Sequence, residues 1–301
     1  MKKTASRRNL KNNEERPVAQ AILYTAFALI AFAFNSILCR MALRGGAADA
    51  AGFTLVRLLS GAVMLVVISY FVGSPHISKG SDLNGRGNWL SAFFLFAYAI
   101  CFSFAYLGMT AGTGALILFG SVQLTMIAFA IVQGERPHVL EWIGLLSAVA
   151  GLVYLVLPGL SAPPLGSSAL MAAAGAAWGF YTLRGRGSAA PLADTTGNFL
   201  RAVPMMGIAA IPFLSKIDLS TNGLLLATTS GAITSGVGYS IWYAALRHLT
   251  ATRAAVLQLS VPVLAAVFGI LLLSELATRR LATAAALILG GILVVIVARR
   301  R

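Results

Sequence analysis

The sequence consists largely of long apolar runs, and their length and repetition constrain the fold more than any other feature. Each run is about long enough for a helix to cross a bilayer, which takes ~20 predominantly apolar residues. No Asp or Glu lies near the middle of any run. Because backbone groups cannot be left unpaired in hydrocarbon, runs of this length are expected to be helices. The pattern therefore predicts an all-α polytopic membrane protein.

Turn signals rich in Gly and Pro separate the apolar runs. We predict ten membrane-spanning helices, and an even number places both termini on the same side of the membrane. The predicted ranges are Ala19–Leu43, Ala50–Gly73, Trp89–Thr110, Thr113–Gln133, Val139–Leu157, Ser167–Leu183, Thr195–Leu214, Asn222–Leu246, Thr252–Leu273 and Leu281–Ala298.

The composition agrees with a membrane protein. Only 11% of the residues are charged, against about 25% in ordinary soluble domains. The net charge of +14 would suggest a nucleic-acid partner in a soluble protein. Seventeen of the 23 Lys and Arg residues, however, fall on the N-terminal side of the predicted layout, and cytoplasmic loops are enriched in these residues. We therefore expect a location in the inner (plasma) membrane with both termini cytoplasmic, and no nucleic-acid partner.

The sequence shows no set of residues that is typical of a catalytic or metal-binding site. Residues 1–17 are polar and strongly charged and are predicted to be a disordered basic cytoplasmic tail. Cys39 and Cys101 both fall inside predicted spans, where each is expected to be a small buried hydrophobe. No nucleophile with a base and no metal-binding cluster is assembled. We therefore expect no cofactor, no metal and no enzymatic activity.

The chain contains an internal repeat, visible as matching residues at a nearly constant offset. Glu135 in Val-Gln-Gly-Glu matches Glu275 in Leu-Leu-Ser-Glu, and each closes a predicted span. Arg57 in Leu-Val-Arg likewise matches Arg201 in Phe-Leu-Arg. Small changes in the offset between these regions are what differences in loop length would produce.

The repeat divides the chain into two halves, residues 18–158 and 159–301, with five predicted spans each. An odd number of spans turns the second copy upside down relative to the first. Many secondary transporters are built from inverted repeats of this kind, with the substrate near the midplane where the halves meet. The lipid bilayer and a small-molecule substrate are thus the expected partners.

The ten spans, the Arg near the start of each half's second span and the Glu after each half's fourth span resemble the drug/metabolite transporter superfamily of EamA-like proteins. Within that superfamily the chain is similar to amino-acid exporters of the YddG type. The resemblance extends from about Ala19 to Ala298 and implies export of small metabolites. One departure is that Pro262 lies in the ninth span, where such families often carry proline, while its counterpart in the fourth span is Val122.

The positions of the charges constrain the transport mechanism. All nine Asp and Glu residues lie in the tail, in loops or near span ends, whereas proton-coupled antiporters keep an ionisable relay within the membrane. Arg57, Arg201 and Lys216 are also expected near span ends, too far from the centre to clamp a phosphorylated substrate. We therefore favour a monomeric uniporter of neutral or aromatic amino acids and related metabolites that works by alternating access. A proton-coupled drug/metabolite antiporter is the alternative.

Polar and aromatic side chains near the middle of the spans are the candidate substrate-binding residues, because polar groups at this depth are expected to face the bundle interior. The glutamines among them are equally well explained by a structural hydrogen bond between helices. The aromatic residues are alternatively explained by packing in the core. The candidates are Asn35, Tyr98, Phe119, Gln123, Trp178, Tyr239 and Gln258.

Charged residues near the span ends suggest a gate. The predicted topology places Arg57 and Glu275 on the outer side and Arg201 and Glu135 on the inner side, so each Arg has a possible acidic partner from the opposite half. These pairs are predicted to close the two sides alternately as the halves rock. The alternative is that each arginine extends to its nearest membrane interface.

Overall fold

The computed structural model describes residues 2–72, 87–134, 138–157, 159, 162–186, 188–246, 249, 254 and 257–298, with side chains from Ile22 onward. The described residues form helices and no β-strands, apart from one isolated antiparallel bridge between Ala48 and Leu219. The structure places residues 2–17, which were predicted to be a disordered tail, in the helix that begins at Lys2.

Most helices follow the predicted apolar runs to within a few residues, but the first begins at Lys2 instead of Ala19, and the helix of the ninth span begins at Ser260 instead of Thr252. A 3₁₀ segment, Ile211–Lys216, extends the seventh helix, and a π-helical segment, Ser230–Val237, divides the eighth span into two helices. The α-helices are α1 (Lys2–Arg44), α2 (Ala50–Phe71), α3 (Trp89–Ala105), α4 (Ala111–Val132), α5 (Val139–Val156), α6 (Leu165–Gly185), α7 (Pro191–Ala210), α8 (Thr221–Thr229), α9 (Gly238–Leu246), α10 (Ser260–Leu273) and α11 (Arg279–Ala298).

Within the described part of the chain, six helical segments are long and apolar enough to cross a membrane. Helices α3 and α10 are apolar but shorter. The segments of spanning length are Ile22–Arg44, Ala50–Phe71, Ala111–Val132, Val139–Val156, Pro191–Lys216 and Arg279–Ala298.

Short polar side chains in the turns determine where several helices begin. The oxygen of each accepts a hydrogen bond from a backbone N–H of the first turn, which has no partner within the helix. The bond from Gly52 N–H to Asp49 Oδ1 is 2.8 Å long. These N-caps are Asp49 on α2, Asn88 on α3, Thr110 on α4 and Ser220 on α8.

The ninth span differs from its prediction. Helix α10 begins at Ser260, so Pro262 lies in its first turn. Proline has no N–H, and it is tolerated there because the first-turn donors have no partner within the helix. Pro262 therefore marks the start of α10, and Leu257 and Gln258 shortly before it are also helical.

Helices of the two predicted halves pack against each other in matched pairs. Helix α2 packs on α7, and α5 packs on α11. The packing of α3 on α6 corresponds to the packing of α1 on the eighth span, which consists of α8, the π-helical segment and α9. The packing of α4 on α6 corresponds to the packing of α10 on α1. This arrangement is compatible with two inverted five-helix repeats.

Glycines allow the backbones of these helices to touch. A Cβ added at Gly291 would lie 2.4 Å from the carbonyl oxygen of Gly144, and one added at Gly144 would lie 2.5 Å from that of Gly291. A Cβ at Gly175 would lie 2.6 Å from the carbonyl oxygen of Leu118. Small residues thus bring α5 onto α11 and α6 onto α4, as expected for helices that associate without a hydrophobic driving force.

Two neighbouring glycines of α11 test this packing. Replacing Gly291 with Ala forces α5 and α11 apart, and overpacking of this kind typically costs ~1–3 kcal/mol. Gly290 has nothing within 4 Å of an added Cβ, so Gly290→Ala is expected to keep or raise stability, since Ala is the better helix former by ~1 kcal/mol. Thermal unfolding of both variants in detergent checks the prediction. Equal melting temperatures would contradict the backbone contact.

Candidate functional site

A cavity lies in the middle of the bundle, where α1, α3, α4, α6 and α9 meet. It contains about 400 Å³ of space not filled by atoms, part of it open to solvent, but only about 30 Å³ can take the centre of a water molecule. Its walls are largely aromatic and apolar, with a few amide and hydroxyl groups. Small-molecule sites commonly have this composition.

Six of the seven candidate substrate residues line this cavity, and they are Asn35, Tyr98, Phe119, Trp178, Tyr239 and Gln258. The seventh, Gln123, lies one turn further along α4 and is 7% exposed, outside the lining. The structure thus brings six residues from distant parts of the sequence to one place. Their contact with substrate stays a prediction.

Four further residues line the cavity that sequence reasoning missed, namely Phe32, Ser36, Phe102 and Leu118. Three of them are apolar residues within apolar runs, so nothing in the sequence distinguishes them from neighbours that face lipid. Ser36 is polar and adjacent to Asn35, and this is a signal that sequence analysis can use.

Aromatic rings form a continuous wall on one side of the cavity. The ring centroid of Trp178 lies 4.8 Å from that of Tyr98 and 5.3 Å from those of Tyr181 and Tyr239. These separations are typical of favourable tilted ring pairs. Trp178 lines the cavity while the nearby Gly175 packs on α4, so α6 contributes both to the cavity wall and to close packing of helices.

The π-helical segment supplies polar groups that fix Asn35. The Oδ1 atom of Asn35 accepts hydrogen bonds from the hydroxyls of Ser230 at 2.9 Å, Thr234 at 2.5 Å and Ser235 at 3.4 Å. Asn35 itself is buried. π-Helical turns are frequent at functional sites, and this one aims three hydroxyls at a single amide.

Arg57 is the main correction to the sequence analysis. It lies 2% exposed inside the bundle, where its Nη2 donates to the hydroxyl of Tyr98 at 3.0 Å. Its guanidinium carbon lies 5.3 Å from the ring centroid of Tyr98 and 4.9 Å from that of Phe102. Arg57 therefore reaches the wall of the central cavity, so the expectation that it lies too far from the centre is wrong, and so is the alternative that it extends to the membrane interface.

The rotation of α2 explains why Arg57 is buried. Arg57 follows Phe53 by four residues and precedes Gly61 by four, and both of these are buried. Residues at this spacing share one face of a helix, so Arg57 belongs to the interior face of α2. This periodicity was a usable signal in the sequence.

The predicted pair of Arg57 and Glu275 does not form. The Glu275 side chain is 5% exposed and forms an ion pair with Arg40, with 3.5 Å between Nε and Oε1. Both carboxylate oxygens accept from the backbone N–H of Ala111, at 3.1 and 2.9 Å. The partner is Arg40 because the end of α1 adjoins the turn after α10, whereas Arg57 points toward α3. We call Glu275, Arg40 and Ala111 the Glu275 lock.

Further contacts tighten the same end of the bundle, which we call the Glu275 end and which carries the turns 106–110 and 274–278. Arg40 Nη1 donates to the carbonyl of Tyr106 at 2.8 Å, and Arg44 Nη1 donates to that of Leu273 at 2.7 Å. Burial raises the pKa of the Glu275 carboxyl, while the Ala111 N–H and Arg40 oppose this rise. The contacts of the lock therefore offset part of the cost of desolvating this carboxylate.

The second predicted pair cannot be examined in the same way, because Glu135 lies outside the described residues. Arg201 Nη1 donates to the carbonyl of Gly197 at 2.9 Å, and its guanidinium carbon lies 5.9 Å from the ring centroid of Trp89. Arg201 is half-buried. The two arginines that the predicted repeat matches thus occupy different environments.

A second cavity lies at the opposite end, where α3 and α7 begin and α6 ends, and we call this the Arg184 end. The cavity contains about 610 Å³ of space not filled by atoms, part of it open to solvent, and its walls are mainly polar. Arg184 donates to Ser91 Oγ at 3.0 Å and to Asn88 Oδ1 at 3.2 Å. Tyr181 lines this cavity and packs on Trp178, which lines the central one. An aromatic partition therefore separates the two cavities.

Comparison with known proteins identifies the family. The model of the EamA-like transporter family matches residues 166–297. An uncharacterized protein of Pseudomonas aeruginosa is 47% identical over 283 residues, which cover 94% of this chain and 96% of that protein. The chain belongs to the EamA-like transporter family. Members of this family are membrane transporters of the drug/metabolite type and not enzymes, so the protein is a multi-pass membrane transporter.

More distant matches agree with this EamA-like assignment. The WAT1-related chloroplastic protein of Arabidopsis thaliana is 26% identical over 239 residues, 73% of this chain and 56% of that protein. An uncharacterized transporter of Archaeoglobus fulgidus is 26% identical over 214 residues, 69% of this chain and 75% of that one. A crystal structure with 19% identity aligns with a TM-score of 0.65 over 94% of this chain and 99% of the other, which shows the fold alone.

The hydrogen bonds of Asn35 can be tested against a matched residue of the same helix. Asn35→Leu leaves buried hydroxyls of the π-helical segment without their acceptor, which is expected to lower stability by ~1–3 kcal/mol. Thr25 Oγ1 is buried without a hydrogen-bond partner among the described residues, so Thr25→Val is expected to keep or raise stability. Thermal unfolding in detergent compares the two variants. A melting temperature for Asn35→Leu equal to that of the unmodified protein would rule out a structural role for the network.

Proposed function

We propose that this protein is a secondary transporter that exports, or lets pass, neutral and aromatic amino acids and related metabolites. The observation that carries the proposal is the central cavity. Helices α1, α3 and α4 of the first predicted half and α6, α9 and Gln258 of the second line it. A site between two pseudo-equivalent halves can be opened to either side by their relative movement, which is the principle of alternating access.

The chemistry of the lining favours an amino acid. The aromatic wall of Tyr98, Trp178 and Tyr239 offers ring faces to an apolar side chain or to an ammonium group. The amides of Asn35 and Gln258 offer hydrogen-bonding groups. The free space is small for a bound solute, so we infer that the described conformation is closed around the site and widens when substrate enters.

The two ends of the bundle differ in a way that supports alternating access. The Glu275 end is tied by the Glu275 lock, whereas the Arg184 end contains a polar cavity separated from the central site by the pair Tyr181 and Trp178. We propose that residues 18–158 and 159–301 are inverted five-helix repeats of a monomer in the inner membrane. Both termini and the Arg184 end then face the cytoplasm, and the lock closes the outer side.

Uniport is the simplest mechanism for this site. In the part of the chain that the structure describes, the residues lining the central cavity include no Asp, Glu or His that could exchange a proton with the substrate. A proton antiporter normally requires such a group within the membrane. Movement of substrate down its own gradient is therefore proposed.

Counterflow in proteoliposomes tests the function. Vesicles preloaded with unlabelled L-phenylalanine are expected to accumulate radiolabelled L-phenylalanine transiently and saturably, and other neutral amino acids are expected to compete. Because no coupling is proposed, an imposed pH gradient should leave the rate unchanged. Inertness to a panel of amino acids would refute the proposed substrate class. Uphill uptake driven by the pH gradient would favour the proton-coupled drug/metabolite antiporter instead.

The Glu275 lock can be tested through a native thiol. Cys39 is buried in α1 between Ser36, which lines the cavity, and Arg40, which belongs to the lock. Glu275→Gln removes the partner charge of Arg40, so the Glu275 end is expected to open more often. In a Cys101→Ser background, labelling of Cys39 by a small thiol reagent should be roughly tenfold faster, which corresponds to a loss of about 1.4 kcal/mol from closure.

Asp218→Asn is the matched control, because it also neutralises an acidic residue at the Glu275 end, where Asp218 is exposed. It should leave the labelling of Cys39 and the rate of counterflow unchanged. Unaltered labelling and transport in Glu275→Gln would mean that the lock does not gate the cavity.

A further inference from the structure

Arg57 is a buried cation with unused hydrogen-bonding capacity. Its Nη1 is buried and has no hydrogen-bond partner among the described residues. No salt bridge involves Arg57 in that part of the chain. Arg40 Nε also has no hydrogen bond, but it lies 3.5 Å from Glu275. A buried guanidinium without a counter-ion is costly, so its presence in α2 requires an explanation beyond packing.

The position of Arg57 connects it to the central cavity. Its Nη2 donates to the hydroxyl of Tyr98, and its guanidinium packs on the rings of Tyr98 and Phe102, both of which line the cavity. Because the Tyr98 oxygen accepts from Arg57, its own proton is available to another acceptor. Arg57 is therefore one side chain behind the cavity wall.

The chemistry of this pair suits a carboxylate. A guanidinium presents its N–H groups in a planar fork that matches carboxylate geometry, and such charge-assisted hydrogen bonds are about twice as strong as neutral ones. The phenol of Tyr98 would add a third donor. The described residues that line the cavity include no acidic side chain to occupy these donors.

The repeat supplies an internal comparison. Arg201, the counterpart of Arg57, is half-buried and donates to the carbonyl of Gly197 in its own helix. The guanidinium of Arg201 also reaches α3, at Trp89, but that of Arg57 contacts Tyr98 and Phe102, which line the central cavity. A structural need common to both halves would place the two arginines alike, so the burial of Arg57 is specific to the first half.

We propose that Arg57 and Tyr98 form the binding site for the carboxylate of the substrate. This rests on the proposed function in that the central cavity is taken as the substrate site. It also narrows the substrate class to molecules that join a carboxylate to an aromatic or apolar body. The aromatic wall around Trp178 holds that body, and the carboxylate supplies the counter-ion that Arg57 lacks.

Matched pairs of acids and amides test the proposal on the full chain in detergent. The ligands are L-phenylalanine and its amide, and 3-phenylpropionate and its amide. Binding is measured as the rise in melting temperature with ligand concentration. The unmodified protein should bind each acid roughly tenfold or more tightly than the corresponding amide, the scale of a lost charge-assisted hydrogen bond.

Variants at Arg57 and Tyr98 separate recognition from packing. Arg57→Gln should lose the preference for acids while its ligand-free melting temperature equals or exceeds that of the unmodified protein, because an unpaired buried charge has been removed. Arg57→Lys keeps the charge without the fork and should retain a weaker preference. Tyr98→Phe keeps the aromatic ring but removes the hydroxyl, so it should also weaken the preference for acids. Lys216→Gln, which removes an exposed positive charge, should keep the full preference.

The outcomes distinguish this proposal from the proposed function. A preference for acids that survives in Arg57→Gln, or its absence from the unmodified protein, overturns the carboxylate site. So does a failure of all four ligands to stabilise the protein. If 3-phenylpropionate binds in an Arg57-dependent way and L-phenylalanine does not bind, the site stands and the assignment to amino acids fails. If Arg57→Gln does not fold, a weakened preference for acids in Tyr98→Phe supports the carboxylate site, and full retention of that preference overturns it.

Discussion

The absence of water in the bilayer core is the constraint on which the rest of this structure depends. Backbone groups must be satisfied within each span, which makes the apolar runs helices. Helices in lipid then associate through close packing, not through exclusion of water. Here that packing is achieved by glycines, since Gly144 and Gly291 bring the backbones of α5 and α11 into contact. Polar side chains that lipid would penalise are left to face the interior.

The interior that results is polar at a few points only, and each point is held by a partner from another helix. Asn35 is fixed by hydroxyls of the π-helical segment, and Arg57 is held against Tyr98. Such positions satisfy donors and acceptors from two helices at once. The contacts of Asn35 join the two predicted halves, whereas that of Arg57 lies within the first.

The sequence predicted which residues line the site better than it predicted the positions and partners of the charged residues. Asn35, Tyr98, Trp178, Tyr239 and Gln258 were found because polar groups are unusual within an apolar run, Phe119 was chosen as the aromatic residue one turn before Gln123, and the structure places all six around one cavity. Gln123 satisfied the same rule and lies outside it. Whether a side chain reaches the cavity depends on the rotation of its helix, which a position along the span does not specify. The same uncertainty hid the depth of Arg57 and the pairing of Glu275 with Arg40.

The sequence by itself determined that this chain is a membrane protein of apolar helices and where most of those helices lie, and it predicted an internal repeat with which the packing is compatible. These properties depend on local composition and on spacing along the chain, which the bilayer converts directly into helices. Only the tertiary structure decided which residues face the cavity, which acid pairs with which arginine, and that the eighth span contains a π-helical segment. Those properties depend on helix rotation and on contacts between residues far apart in sequence, and periodicity constrains them only weakly.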